Sequence, residues 1–329
     1  MAEGLQRDAA DCLSLNDSMI QYLAHFDIDK HRWDQCIAQS VNRRVYAFSW
    51  YLDMVSPGWD ALVETDYNSV FPLTHHRKGG IRYLYQPFFT QQLGIFSRQH
   101  LTASLVDQFI KAIPSKFKYA DIHLNVMNKV NADEYDCHTR MNHELDLIPG
   151  YETLIRNYSQ NTRRNIRKAI DQGIHLGRKA EADELITLFK EGFGKKEGIL
   201  KFSHYEILRK LILHCQKNSF GVILGAYAPE ECLSAAAFFL YDCDRMYYLF
   251  AASGKDAREN GAMFLLLDHA IKEHAGKALT LDFEGGNDPN LGRFYKSFGA
   301  MEVPYPFLHI NRLPGLVGKG VKFIRKIRT

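Results

Sequence analysis

The sequence predicts an α/β (α+β) protein of two similar domains in tandem, each a mixed, mainly antiparallel sheet flanked by helices. Three observations lead there. Residues 245–300 alternate strand, helix, strand and helix, with clear caps and breaks. Two separate stretches, 59–126 and 220–283, each read as a meander of β-rich runs followed by a helix and a further strand. The chain has 329 residues, more than the roughly 250–300 at which one core usually splits.

In order along the chain, residues 1–28 are mixed and weakly patterned, and read as a loosely attached start. His31 to Ser40 has the spacing of a short helix with Trp33, Cys36 and Ile37 inward, and Arg44 to Trp50 is a strand candidate. Trp59 to Thr65, Ser69 to His76 and Ile81 to Gln86 are β-rich runs separated by turns at Asp66-Tyr67-Asn68 and Lys78-Gly79-Gly80. After Leu93 to Phe96, helical spacing returns over Leu101 to Ile113 until Pro114 stops it, and Ala120 to Val126 alternates as a strand. A boundary falls near Pro149-Gly150, dividing an N-terminal domain (1–150) from a C-terminal one (151–312).

The second half opens with a basic helix over 159–173, in which Ile166, Ala169 and Ile170 form the inner face and Gly173 the end. Its outward positions carry Arg163, Arg164, Arg167 and Lys168, with no acidic residue from Arg156 to Lys168. Like charges four apart cost about 0.2–0.5 kcal/mol per pair in an isolated helix. Such a face is either solvated or an anion site, for which forked arginine donors suit phosphate. Helices follow over Ala182 to Gly192 and Tyr205 to Cys215, separated by a polar loop at Lys195-Lys196-Glu197-Gly198. Phe220 to Ala228, Cys232 to Tyr241 and Met246 to Ala252 then form the second meander.

From Met263, apolar residues recur at Leu266, Leu267, Ala270 and Ile271, one face of a helix that Gly276 closes. Leu279 to Phe283 is a strand, and Asp288-Pro289 an N-cap with proline at the first helical position. Leu291, Phe294 and Phe298 make the inner face of that last helix, and Gly299 ends it.

Composition excludes several classes. Hydrophobic residues make up 46% and charged residues 24%, with a net charge of +3, as in an ordinary soluble globular chain. The N-terminal segment lacks the basic start and apolar centre of a secretory signal, and no apolar run approaches the roughly 18–20 residues of a membrane span. Six cysteines with no C-x-x-C pair read as reduced thiols of a cytoplasmic protein. His75-His76, and Cys137-His138 with His143, lack metal-ligand spacing, so no metal site is expected.

The segments LDFEGG, GRFYKSFGA and, upstream, SQNTRRNIRKAIDQGI resemble the C-terminal half of the Fem-type aminoacyl and peptidyl transferases. Those are relatives of the GNAT acyltransferases, and their chains typically hold two GNAT-like domains. The resemblance is diffuse over 30–310 and sharpest at 159–173 and 281–300. It implies an acyltransferase with an acyl-CoA or aminoacyl-tRNA co-substrate, no tightly bound cofactor, and an amine acceptor, small or lipid-linked, such as a cell-wall precursor. It also implies that the basic helix contributes to substrate binding, and that Lys296 handles phosphate or tetrahedral-intermediate charge. In this fold two neighbouring strands diverge to admit the donor, and the following helix offers its unpaired N–H groups to phosphate. The acyl-CoA signature Gln/Arg-x-x-Gly-x-Gly/Ala is met here by Arg258 and Gly261, but Met263 stands at the second small position. Fem-like proteins depart at the same place.

For chemistry, Asp282 and Glu284 lie two apart on one strand and so point to the same face. One is a candidate base or holder of the acceptor amine, since paired carboxylates raise one another's pKa; the other reading is a pair of loop caps. Tyr248, Tyr295 and Asn287 are candidate substrate contacts, although aromatic residues at the spacing of the two tyrosines are more often core. The tail 313–329 gathers Lys319, Lys322, Arg325, Lys326 and Arg328 without an acid. It reads as a helix docked on the domain or as one that touches anionic membrane or tRNA phosphates. A competing function is a non-catalytic protein that uses the same fold to bind RNA or acidic lipid.

Overall fold

The computed structural model describes residues 19–177, 180–192, 200–255 and 257–315. Expectations for the 195–198 loop and for the tail beyond residue 315 lie outside the described residues, as does the side chain of Arg258. In the first half, β1 (Ile20–Leu23) leads to α1 (Lys30–Gln39), whose cap Asp29 accepts from the N–H groups of His31 and Arg32 and which buries Trp33, Cys36 and Ile37. The strand expected from Arg44 to Trp50 is instead a 3-10 turn at Val45–Ala47 followed by α2 (Ser49–Val55). Tertiary bonds override the β-propensity of Val45, Tyr46 and Phe48. The Trp33 indole donates to the Ala47 carbonyl at 2.7 Å, while Asp34 accepts from the Ser49 N–H at 2.7 Å and hydroxyl at 2.6 Å.

A hairpin of β2 (Asp60–Glu64) and β3 (Ser69–Leu73) turns at Tyr67, whose φ is 60°. The run expected to continue to His76 breaks at Thr74, whose hydroxyl donates to the Tyr85 carbonyl. The chain there leaves one sheet for another through β4 (His75–Lys78) and β5 (Ile81–Leu84). β6 (Phe96–Ser97), α3 (Ala103–Lys111), β7 (Phe117–His123) and β8 (Asp136–Asp146) complete this half.

The second half runs α4 (Tyr151–Arg156), α5 (Gln160–Asp171), β9 (His175–Gly177), α6 (Ala182–Gly192), α7 (Phe202–Lys217), β10 (Gly221–Tyr227), β11 (Leu233–Asp242) and β12 (Arg245–Ser253). Then come α8 (Ala257–Asn260), α9 (Ala262–His274), β13 (Thr280–Asp282), α10 (Pro289–Lys296) and β14 (Met301–Asn311). Two inner faces differ from expectation. On α5, Ile170 is 58% exposed and Thr162 is buried instead, donating to the Ser297 carbonyl and hydroxyl at 3.0 and 2.8 Å. On α10, Leu291 faces out while Tyr295 stacks on Phe283 at 4.6 Å between ring centres.

A four-stranded sheet has the order β1-β2-β3-β6, and a ten-stranded sheet the order β4-β5-β7-β14-β8-β13-β12-β11-β10-β9. Strands from before and after Gly150 therefore interleave: β14 lies antiparallel between β7 and β8, and β8 also pairs with β13. One core cluster joins α1 and α2 to α6, α7 and one face of β10 to β12. A second lies beneath α5, α9 and α10, and a third beneath α3. The parallel pair β12–β13 is short, matching only Arg245–Tyr247 with Thr280–Asp282. β12 runs on to Ser253 with β11 on its other side, so its edge beyond Tyr247 has diverged from β13.

Candidate functional site

Divergence of a parallel pair leaves main-chain groups unpaired, and here the residues that follow β13 stand at that opening. Asp282 is buried, and its carboxylate lies 3.2 Å from Arg245 and accepts from the Asn142 amide at 2.8 Å. Arg245 also meets Glu144, the residue opposite Asp282 on β8, at 3.0 Å, and Arg44 lies 4.0 Å from Glu144. Burial raises the Asp282 carboxyl above the usual carboxylate range, as does Glu144, while Arg245, Arg44 and Asn142 oppose it. Burial works against the charge on Arg245, but Asp282 and Glu144 together raise its pKa.

Glu284 is the unusual member. Its φ is 61°, in the left-handed region that an L side chain enters at a cost of about 1–3 kcal/mol. Its Oε1 is sealed from solvent and has no hydrogen-bond partner in the protein, and so is the Nε of Arg44. Burial pushes the Glu284 carboxyl well above its ordinary value, with Arg44 the opposing cation. Arg44 and Arg245 thus stand among three carboxylates, with Arg44 the cation that bears on Glu284. The single strand expected to carry both carboxylates ends at Asp282, so Glu284 lies in the turn beyond it, and Arg44 acts on both.

The turn after Glu284 is tied to β8. The Gly285 N–H donates to Asn142 Oδ1 at 3.0 Å, and its carbonyl lies 2.9 Å from His143 Nδ1. Asn287 accepts from the Met141 N–H at 3.0 Å and donates to the Met141 carbonyl at 3.3 Å, so its amide holds backbone. Below lies an aromatic layer: Tyr248 and Tyr295 are both buried, and the Tyr248 hydroxyl donates to Met263 Sδ at 3.1 Å. These tyrosines are core residues lining the underside of the site.

The cations of α5 and α10 are arranged differently from one another. Arg163 donates to the Ile155 and Arg156 carbonyls at 3.1 and 2.8 Å, closing the end of α4. Arg164 bonds Asn161 at 2.9 Å, and it, Arg167 and Lys168 are exposed. Lys296 pairs with Glu302 at 2.9 Å, both about half exposed, and Glu302 in turn lies 3.9 Å from His143 Nε2. Gly261 is a left-handed N-cap of α9 at which an added Cβ would stand 2.4 Å from the Asn165 carbonyl oxygen. Its lack of a side chain lets α5 cross the end of α9.

A cavity of about 530 Å³ lined by Arg43, Val45, Trp50, Phe220, Asp242 and Leu279 lies at the start of β12 and β13, away from Glu284. Among the described residues no three His, Cys, Asp or Glu side chains cluster as metal ligands, and no helix is long and apolar enough to cross a membrane. The sequence reading did not single out Arg44, Asn142, Glu144 or Arg245, and it weighed His143 only as a metal ligand. The signal for the β8 residues was the polar run itself: the segment DCHTRMNHELD has no apolar alternation, and its Asn142, His143 and Glu144 serve the site.

Comparison with known proteins agrees with this geometry. Residues 156–297 match the profile of the acetyltransferase (GNAT) domain. No curated protein matches the chain significantly. Among solved structures the chain is similar to FemX, with a TM-score of 0.63 at 12% identity over 89% of this chain and 98% of that one. It is also similar to L-PGS from Bacillus licheniformis (TM-score 0.53, 13% identity, 90% and 96% covered). The C-terminal domain of a putative lysylphosphatidylglycerol synthetase from Agrobacterium fabrum gives 0.54 at 11% identity, with 91% and 96% covered. Residues 156–297 thus match the GNAT acetyltransferase domain model, and the fold of the chain is similar to that of FemX.

Proposed function

We propose that this protein is an N-acyltransferase in which Glu284 receives the proton of an amine acceptor at the opening between β12 and β13. The supporting observation is the Glu284 carboxyl itself: an unpartnered buried oxygen, in a strained backbone, where the two strands part. A protonated amine entering beside it supplies the cation that the three carboxylates and two guanidiniums lack. The entering ammonium displaces the proton of Glu284 to water, and the carboxylate so formed takes one proton from the ammonium, helped by an environment that favours the neutral carboxyl. The freed lone pair attacks the donor's carbonyl carbon, the C–O or C–S bond to the leaving group breaks, and that group takes the second proton shed by nitrogen. Asp282, Arg245 and Glu144 form the buried support. Main-chain groups on the free edge of β12 hold the donor.

Two observations weigh against a coenzyme A pyrophosphate on α9. Met263 occupies the second small position with Tyr248 bonded to its sulfur, and α5 lies against Gly261. The ester of an aminoacyl-tRNA is the donor this favours. Arg164, Arg167 and Lys168, exposed on the helix that crosses α9, serve its phosphates in this reading. The acceptor is a small or lipid-linked amine, the reaction is cytoplasmic, and residues 313–329 are the segment for contact with anionic membrane.

The test is thermal protection and turnover together. A charged tRNA at 100 times its Kd should stabilise the fold by about 2.7 kcal/mol, and Glu284→Gln should lower amide formation by roughly 100-fold or more. Protection by micromolar acetyl-CoA and none by charged tRNA overturns the donor assignment. RNA binding with no amide formed from any amine establishes the binding-protein reading instead.

A further inference from the structure

We propose that Asn142 and His143, neighbours on β8, are positioning residues that grip the Gly285 peptide at its two ends and so hold Glu284 in place. This rests on the assignment of Glu284 as base. Successive strand residues point to opposite faces, so one pair reaches the same turn from both sides. Asn142 lies on the face of Asp282 and takes the Gly285 N–H at 3.0 Å while donating to Asp282 at 2.8 Å. His143 lies on the other face, 1% exposed, and its Nδ1–H donates to the Gly285 carbonyl at 2.9 Å, since a carbonyl only accepts.

The space around the histidine ring is shaped by two glycines. A Cβ on Gly286 would fall 2.0 Å from Nδ1, and one on Gly292 would fall 3.3 Å from Cε1. Tyr295 closes the pocket with its ring centre 5.8 Å away. The ring's other nitrogen, Nε2, is buried with no hydrogen bond and lies 3.9 Å from Glu302, so Nδ1 makes the ring's one hydrogen bond. Glu284 is left-handed, its N–H donates to Asp282 at 3.0 Å, and the fixed turn after it holds its other side. With either end of the Gly285 peptide free, Glu284 relaxes to ordinary backbone and its carboxyl swings to solvent.

The experiment compares His143→Leu, His143→Asn and Glu284→Gln, with circular dichroism to establish folding. Asparagine's amide replaces the Nδ1–H donor; leucine does not. Infrared difference spectra against Glu284→Gln identify the carbonyl stretch of a buried protonated carboxyl, a signal that needs no substrate. The expected result is that His143→Leu loses this band at neutral pH and His143→Asn keeps it. In amide formation from a charged tRNA and Nα-acetyl-lysine amide, leucine should lower kcat roughly 100-fold with KM little changed. The rise of activity with pH should also move towards the ordinary carboxylate range. Asparagine should recover most of the rate. Should leucine prevent folding, Asn142→Ala frees the other end of the same peptide and is read the same way. An unchanged band and pH profile in a folded His143→Leu or Asn142→Ala variant overturns the positioning role. Full turnover by Glu284→Gln removes the base assignment instead, and the infrared comparison still decides whether the grip exists.

Discussion

One guanidinium nitrogen of Arg245 stands 3.2 Å from Asp282 and 3.0 Å from Glu144, so a single buried cation serves carboxylates from two different strands. Removing it strands both anions in a low-dielectric setting. Arg245→Met should destabilise the protein by about 3–5 kcal/mol, read as a fall in the urea midpoint. A loss under about 1 kcal/mol would show that the carboxylates find water or Arg44 instead.

Glu284 should set a trade between stability and activity. Its folded-state pKa is raised by burial above the unfolded value. Its contribution is therefore complete below the unfolded carboxylate range and falls away as pH rises towards the folded value, by up to about 1.4 kcal/mol per pH unit. Glu284→Gln, neutral at every pH, should melt at a higher temperature than the native protein at pH 7 and at no higher temperature near pH 4. An equal difference at both pH values would mean that ionisation is not the cause.

The crossing of α5 over α9 depends on Gly261. At φ 74°, with the Asn165 oxygen 2.4 Å from an added Cβ, Gly261→Ala incurs the left-handed penalty of about 1–2 kcal/mol together with displacement of α5. Calorimetry should show a melting point lower by several degrees, and protection by charged tRNA should weaken in parallel.

Acid should act through His123. Burial, with Arg140 close by, lowers its pKa to about 4, so the folded protein keeps it neutral. The stability this gives is complete above the unfolded value near 6.5 and is lost as pH falls from there to about 4. His123→Gln should flatten the stability curve across that window in urea titrations at successive pH values.

Lys296 and Glu302 form a half-exposed surface pair, a kind usually contributing about 0–1 kcal/mol. Lys296→Ala should leave the melting temperature within a degree or two. A loss of turnover beyond tenfold, with stability kept, would assign the lysine the charge-handling role that the Fem resemblance implies.

Much of the second half was legible because local signals and tertiary structure agree there. Asp288 caps α10 as its side chain dictates, Gly276 and Gly299 carry positive φ just past helix ends, and α6 spans Ala182–Gly192 as its spacing predicts. The misreadings fall where a distant partner decides. Asp34 and Trp33 turn Val45–Ser49 away from strand, and Tyr295 rather than Leu291 faces inward because Phe283 offers it a stacking partner. The largest omission, β8, was hidden by its own role: Asn142, His143 and Glu144 are polar because they hold the residues after β13, and polarity is what a search for buried strands rejects.

The placement of β14 also governs how the molecule is made. Its eleven residues, Met301–Asn311, leave the ribosome well after β7 and β8, yet they fill the gap between those two strands. Until they arrive, β7 and β8 present open edges, a state in which chains adhere to one another. Productive folding of the ten-stranded sheet must therefore wait until β14 has emerged, and a chain cut short just before Met301 would yield an aggregate rather than a smaller working protein.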